Sequence, residues 1–93
     1  MPNSNIHRTF ECPVCGYDKL DDPPYEDGLA TFTICPCCGT EFGYDDSTMK
    51  HSTLRQRWID NGMLWWSHAN TPPTGWDPVK QLENVHIHFA HSK

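Results

Sequence analysis

Cys12-Pro13-Val14-Cys15-Gly16 and Cys35-Pro36-Cys37-Cys38-Gly39 are one five-residue unit written twice. Two residues between the thiols let both sulfurs aim at a single ion from one tight turn. Proline after the first cysteine fixes φ and stiffens that turn. Glycine after the second tolerates positive φ and lets backbone N–H groups turn toward the sulfurs. Nineteen residues separate Cys15 from Cys35, close to the spacing of about 15–20 in four-cysteine zinc sites. One such pair could be adventitious, or two buried structural cysteines. Two pairs with matching proline and glycine predict a tetrahedral metal site with Cys12, Cys15, Cys35 and Cys38 as ligands. Zn2+ is the expected ion and Fe the alternative, since four thiolates suit both. A shell closed by four protein ligands is expected to stabilise the fold and to do no chemistry.

The fifth cysteine, Cys37, sits in the variable slot of the second unit, because using it as a ligand would break the repeat. A redox or nucleophilic role is disfavoured, since four thiolates around a divalent ion leave negative charge beside it. An idle thiol at the tip of the turn is expected.

The remaining composition agrees with a metal-stapled domain. The chain has 93 residues and 37% apolar content, which predicts a single domain over 1–93 with a thin core that needs a staple. Four Trp, four Phe and three Tyr must supply much of that core. The net charge is −5, which disfavours general attraction to nucleic acid or anionic lipid. No stretch approaches the roughly 20 apolar residues of a membrane span. No apolar signal region follows Met1 to Asn5, so a cytoplasmic location is expected. An odd number of cysteines in a reducing compartment favours metal ligation over disulfides.

Around the two units the chain divides into halves. Residues 9–46 hold every cysteine and short β-prone runs; Ala30-Thr31-Phe32-Thr33-Ile34 alternates as a strand with Phe32 and Ile34 on one face. Asp21-Asp22-Pro23-Pro24 and Asp27-Gly28 read as turns. Residues 47–93 hold all four Trp and read as a helical, aromatic extension packed on the first half. Thr53 and Gln56 fit a capping box opening a helix that stops at Asn61-Gly62, with Leu54, Trp58 and Ile59 inward. Thr71-Pro72-Pro73-Thr74-Gly75 reads as a loop. Asp77-Pro78 reads as a cap and first turn of a second short helix, with Val79 and Leu82 inward. Val85-His86-Ile87-His88-Phe89 alternates like a strand. The fold class that results is a small α+β metal-bound domain: a zinc ribbon followed by a short helical, Trp-rich half.

Other chemistries find less support. His86, His88 and His91 could gather as metal ligands, but exposed polar positions opposite Val85, Ile87 and Phe89 explain the same pattern without any metal and are the expectation. His7, His51 and His68 lack partners at ligand spacing. Ser67-His68 has no strand–turn–helix context for a nucleophile. Lys50, His51, Arg55 and Arg57 form a local basic cluster, but Arg55 and Arg57 point to different faces of a helix and Asp45 and Asp46 stand close by. A solvated helix face is the expectation there.

Two resemblances follow from the same residues. Cys35-Pro36-Cys37-Cys38-Gly39 resembles the signature of the bacterial cysteine-rich CPCC family, and the Glu41-Phe42-Gly43-Tyr44-Asp45-Asp46 and Leu54-Arg55, Trp58-Ile59, Gly62 and Trp65-Trp66 stretches look similar to relatives of it. That resemblance implies a zinc-ribbon-like fold in a small bacterial protein. Cys15-Gly16-Tyr17-Asp18 and Asp22-Pro23 resemble rubredoxin knuckles, which implies that iron could occupy the same four thiolates and carry single electrons. The Trp-rich second half has no counterpart in rubredoxins. The function expected is non-enzymatic: a module that binds another protein, regulatory or immunity-like by analogy, with an iron electron carrier and a nucleic-acid-binding ribbon as alternatives.

Overall fold

Asp27 and Gly28 both take positive φ, 55° and 82°, the geometry of a two-residue hairpin turn whose twist suits the flanking strands. They join β1 (Tyr25–Glu26) to β2 (Leu29–Ala30), an antiparallel pair in which Tyr25 faces Ala30 and Glu26 faces Leu29. The computed structural model describes residues 8–85 of the chain.

The strand expected over 30–34 ends at Ala30. Phe32 adopts a φ of 62°, a left-handed conformation that no strand accommodates. Phe32 and Ile34 consequently face solvent instead of lining a core face. The segment is held by other pairings. The Phe32 N–H donates to the Phe42 carbonyl at 2.9 Å, the Phe42 N–H donates to the Thr33 carbonyl at 3.0 Å, and Ile34 bridges Glu41. These contacts close a hairpin around the second cysteine unit. Phe10 and Leu20, which exchange two backbone bonds of 2.9 and 3.0 Å, close the matching hairpin around the first.

After a short 3-10 turn (Asp45–Ser47), α1 runs His51–Asp60. It starts three residues before the capping box implied, and no side chain caps it. The Thr53 N–H already donates to Lys50, so Thr53 lies inside the first turn. The end is as expected: the Gly62 N–H donates to the Ile59 carbonyl and the Met63 N–H to that of Trp58, the double bond pattern of a glycine-terminated helix. A second short helix, α2 (Pro78–Gln81), opens with Asp77, whose carboxylate accepts from the Val79 and Lys80 N–H groups at 3.1 Å each. Leu82 is buried as expected, but Val79 is 61% exposed. Residues 83–85 add another helical turn, with the Val85 N–H donating to Leu82. Val85 is therefore not the start of a strand; the rest of that expected strand, with His86, His88 and His91, lies outside the described residues.

The core is a single cluster: Cys12, Val14, Cys15, Leu20, Cys35, Cys37 and Phe42 from the first half meet Trp58 and Leu82 from the second. Trp65 and Trp76 pack half-buried against it, edge to face at 5.3 Å, and Tyr17 meets Trp65 the same way. Trp66 stays half exposed. No helix among the described residues is long and apolar enough to cross a membrane.

Candidate metal centre

The two cysteine units fold into the same turn. The Gly16 N–H donates to the Cys12 carbonyl at 2.9 Å and the Gly39 N–H to that of Cys35 at 2.8 Å. The Cys12 N–H donates to Tyr17 and the Cys35 N–H to Thr40, at 2.7 and 2.9 Å. Both glycines take positive φ, 87° and 80°, which is why the repeat places Gly there. These positions also admit no side chain. A Cβ on Gly16 would stand 2.5 Å from the Gln81 carbonyl oxygen.

The turns face each other, and the sulfurs of Cys12, Cys15, Cys35 and Cys38 lie within 4.8 Å of one another. Cys12 and Cys38 are 3.8 Å apart, as are Cys15 and Cys35. A tetrahedron with metal–sulfur bonds of about 2.3 Å has sulfur–sulfur edges of about 3.8 Å, so an ion fits between them. All five cysteines are free thiols. Cys12, Cys15 and Cys35 are fully buried, and Cys38 is partly open, with the Thr40 hydroxyl 3.2 Å from its sulfur.

The electrostatics of the cluster also fit a cation. Burial pushes the Cys15 thiol far above its ordinary range, and contacts with the other cysteines add to this. Cys35 is raised too, first by its hydrogen bond with Cys12. Cys38 is held well below the usual thiol value by hydrogen bonds to Cys12, Cys15 and Cys35. Thiols this close resist ionising together, and a bound cation removes that resistance. The four cysteines could therefore hold a metal ion. The donor set alone accepts zinc and iron.

Backbone carbonyls of both turns are met by the rest of the chain. In the first turn, Arg55 donates to Val14 (Nε, 2.7 Å) and Pro13 (Nη2, 2.8 Å), Gln81 donates to Cys15 at 3.0 Å, and Asn84 donates to Gly16 at 2.8 Å. In the second, the Trp66 and Ser67 N–H groups each donate at 2.9 Å, to Cys37 and Pro36. Arg55 is thus not part of a solvated basic face. It is buried, and that desolvation lowers its pKa, with the nearby Cys12 and Cys15 opposing the shift. Cys37 is fully buried in the core, with Gln81 Nε2 3.3 Å from its sulfur. The spacing of the repeat placed Cys37 off the ligand set, but only the folding of residues 66–82 over that turn encloses it.

The remaining candidates are more dispersed. His51 does have partners: its Nε2 lies 2.9 Å from Asp46 and 3.2 Å from the Tyr25 hydroxyl, which also bonds Asp46. Ser67 Oγ accepts from the Ala69 and Asn70 N–H groups, holding a turn. A groove of about 450 Å³ opens beside Cys38, between Trp58, Trp66, Arg57 and His68.

Two proteins of Bacillus subtilis (strain 168) are similar to this chain. The uncharacterized protein YoaQ is 33% identical over 63% of this chain and 64% of its own length. The uncharacterized protein YozI is 32% identical over 60% of this chain and 61% of its own. The chain thus spans less than two thirds of the length of each relative. No protein-family model matches the chain. No solved structure matches it.

Proposed function

We propose that this chain is a zinc-stabilised module of the zinc-ribbon kind, akin to the bacterial CPCC proteins, that acts in the cytoplasm by binding another protein and catalyses no reaction. The observation that carries it is the enclosure of the sulfur cluster, with three of its four thiols fully buried. A site closed by four protein ligands leaves no position for a substrate. Its contribution is folding energy, because the two turns are brought together around the ion. A protein partner is supported by the large apolar side chains left outside the core, among them Leu29, Phe32, Tyr44, Leu64 and Trp66. Tryptophan is over-represented where partners dock most tightly. The test combines metal analysis of untagged protein made under reducing conditions with low-salt affinity capture by wild-type and Trp66→Ala baits. One zinc per chain and a partner lost with Trp66→Ala support the reading. Metal-free folded protein, or capture indifferent to every exposed apolar residue, sinks it.

A second reading is an iron-loaded, rubredoxin-like electron carrier. The partial opening of Cys38 favours it, since one residue of the cluster then reaches the surface, where an electron could cross. A red protein with reversible one-electron reduction supports that reading over the first. Nucleic-acid binding gains little, because the net charge is −5 and Arg55 is turned inward.

A further inference from the structure

Arg55 and Thr40 are the buried polar side chains among the described residues, and Arg55 alone of the two carries a charge. A guanidinium is taken out of water only where its charge and its donors are used. Here two of the donors grip consecutive carbonyls of the first turn, Pro13 and Val14, which lie between Cys12 and Cys15. The planar fork suits that pair of acceptors in a way that a single ammonium does not. The same side chain lies close enough to Cys12 and Cys15 for their charges to act on it. Four thiolates around a divalent ion leave two negative charges uncompensated.

We propose that Arg55 is a positioning residue of the metal centre, holding the Cys12–Cys15 turn by two carbonyls while its positive charge offsets the excess negative charge of the thiolate shell. This rests on the reading of the four cysteines as a metal site. Asn84 is the natural comparison: it donates to the Gly16 carbonyl of the same turn at 2.8 Å but carries no charge. If the turn needs only to be held, losing either donor acts alike. If charge matters, only Arg55 alters the electronic properties of the bound ion.

The experiment uses full-length wild type, Arg55→Gln, Arg55→Lys and Asn84→Leu. Each is loaded with iron for voltammetry and, separately, with zinc for chelator competition. In the iron form the ferric centre takes one electron from the electrode and becomes ferrous, with no bond made or broken. The reduced centre is more negative by one charge, so a neighbouring cation raises the potential. Arg55→Gln is expected to lower the potential and to weaken zinc retention by about 10–100-fold, the range for groups that support metal ligands. Arg55→Lys keeps the wild-type potential because it keeps the charge, while its single ammonium holds the turn less well and zinc retention falls. Asn84→Leu leaves the potential unchanged.

A wild-type potential in Arg55→Gln, or an equal shift in Asn84→Leu, overturns the proposal. Should Arg55→Gln yield no folded protein, Arg55→Lys decides by its potential, and a potential lowered there despite the retained charge overturns the proposal. If wild-type protein binds neither ion through its thiols, the metal reading fails and takes this one with it. That result is distinct from a loaded Arg55→Gln protein that behaves as wild type.

Discussion

Gly39 lies directly beneath the indole of Trp66: a Cβ added to Gly39 would stand 2.6 Å from both Cγ and Cδ1 of that ring. The close approach joins the second cysteine turn to the segment whose N–H groups meet its carbonyls at Pro36 and Cys37. Gly28 is a matched contrast, with φ of 82° against 80° for Gly39 but no atom within 4 Å of an added Cβ. Gly28→Ala is therefore expected to cost about 1–2 kcal/mol, the conformational penalty alone. Gly39→Ala should cost more, about 3 kcal/mol, because the ring or the turn must also move. Denaturant unfolding of the two metal-loaded variants checks the difference; equal losses would mean that Trp66 yields freely.

Metal retention should depend steeply on pH. Cys15 and Cys35 both favour the protonated thiol, through burial and through hydrogen bonding within the cluster respectively. Each must lose its proton to bind an ion, so acid competes with the metal. Those two thiols alone predict a fall of about 100-fold in affinity per pH unit below the ordinary thiol range. The metal-free fold has the opposite sense. Its raised Cys15 and Cys35 contribute stability below the unfolded thiol pKa, which is lost as pH rises beyond it. Chelator competition at pH 6, 7 and 8 reads the first effect, and a flat profile there contradicts it.

Cys37→Ala should leave one metal per chain and lower stability by about 1–2 kcal/mol, since it empties a fully buried position without removing a ligand. Cys12→Ser should instead lose the metal. Elemental analysis alongside thermal unfolding separates the two. Loss of metal in Cys37→Ala would place this thiol in the ligand set.

Asp77→Ala removes an acceptor that satisfies two N–H groups at the start of α2. A lost helix cap costs about 1 kcal/mol. Because Gln81 and Asn84 reach the Cys15 and Gly16 carbonyls from this region, amide hydrogen exchange should quicken in the first cysteine turn as well as in α2. Faster exchange confined to α2 would show that its hold on the turn is dispensable.

The parts of the fold that were legible in the sequence are those dictated within a few residues. Cys12 to Gly16 and Cys35 to Gly39 reveal their shared turn because proline, the cysteine spacing and positive φ at glycine act locally. Asp27-Gly28, Asn61-Gly62 and Asp77-Pro78 mark turns and helix ends for the same reason. Arg55 was misread because helical periodicity gives a direction around the axis but not what lies there; the neighbour is a carbonyl pair some forty residues away, Pro13 and Val14. Phe32 alternates correctly for a strand, yet pairing with Phe42 forces a φ that alternation cannot reveal. Val79 is misplaced likewise, and the enclosure of Cys37 is not legible either, since burial depends on which segment folds over a residue.

X-ray absorption at the metal edge of Cys37→Ser protein, purified untagged under reducing conditions, tests the central claim most directly. That variant keeps only Cys12, Cys15, Cys35 and Cys38 as thiols. Four sulfur neighbours at about 2.3 Å and no nitrogen or oxygen in the shell are the result expected for zinc. A shell with fewer than four sulfurs, or a folded protein with no bound metal, contradicts the account.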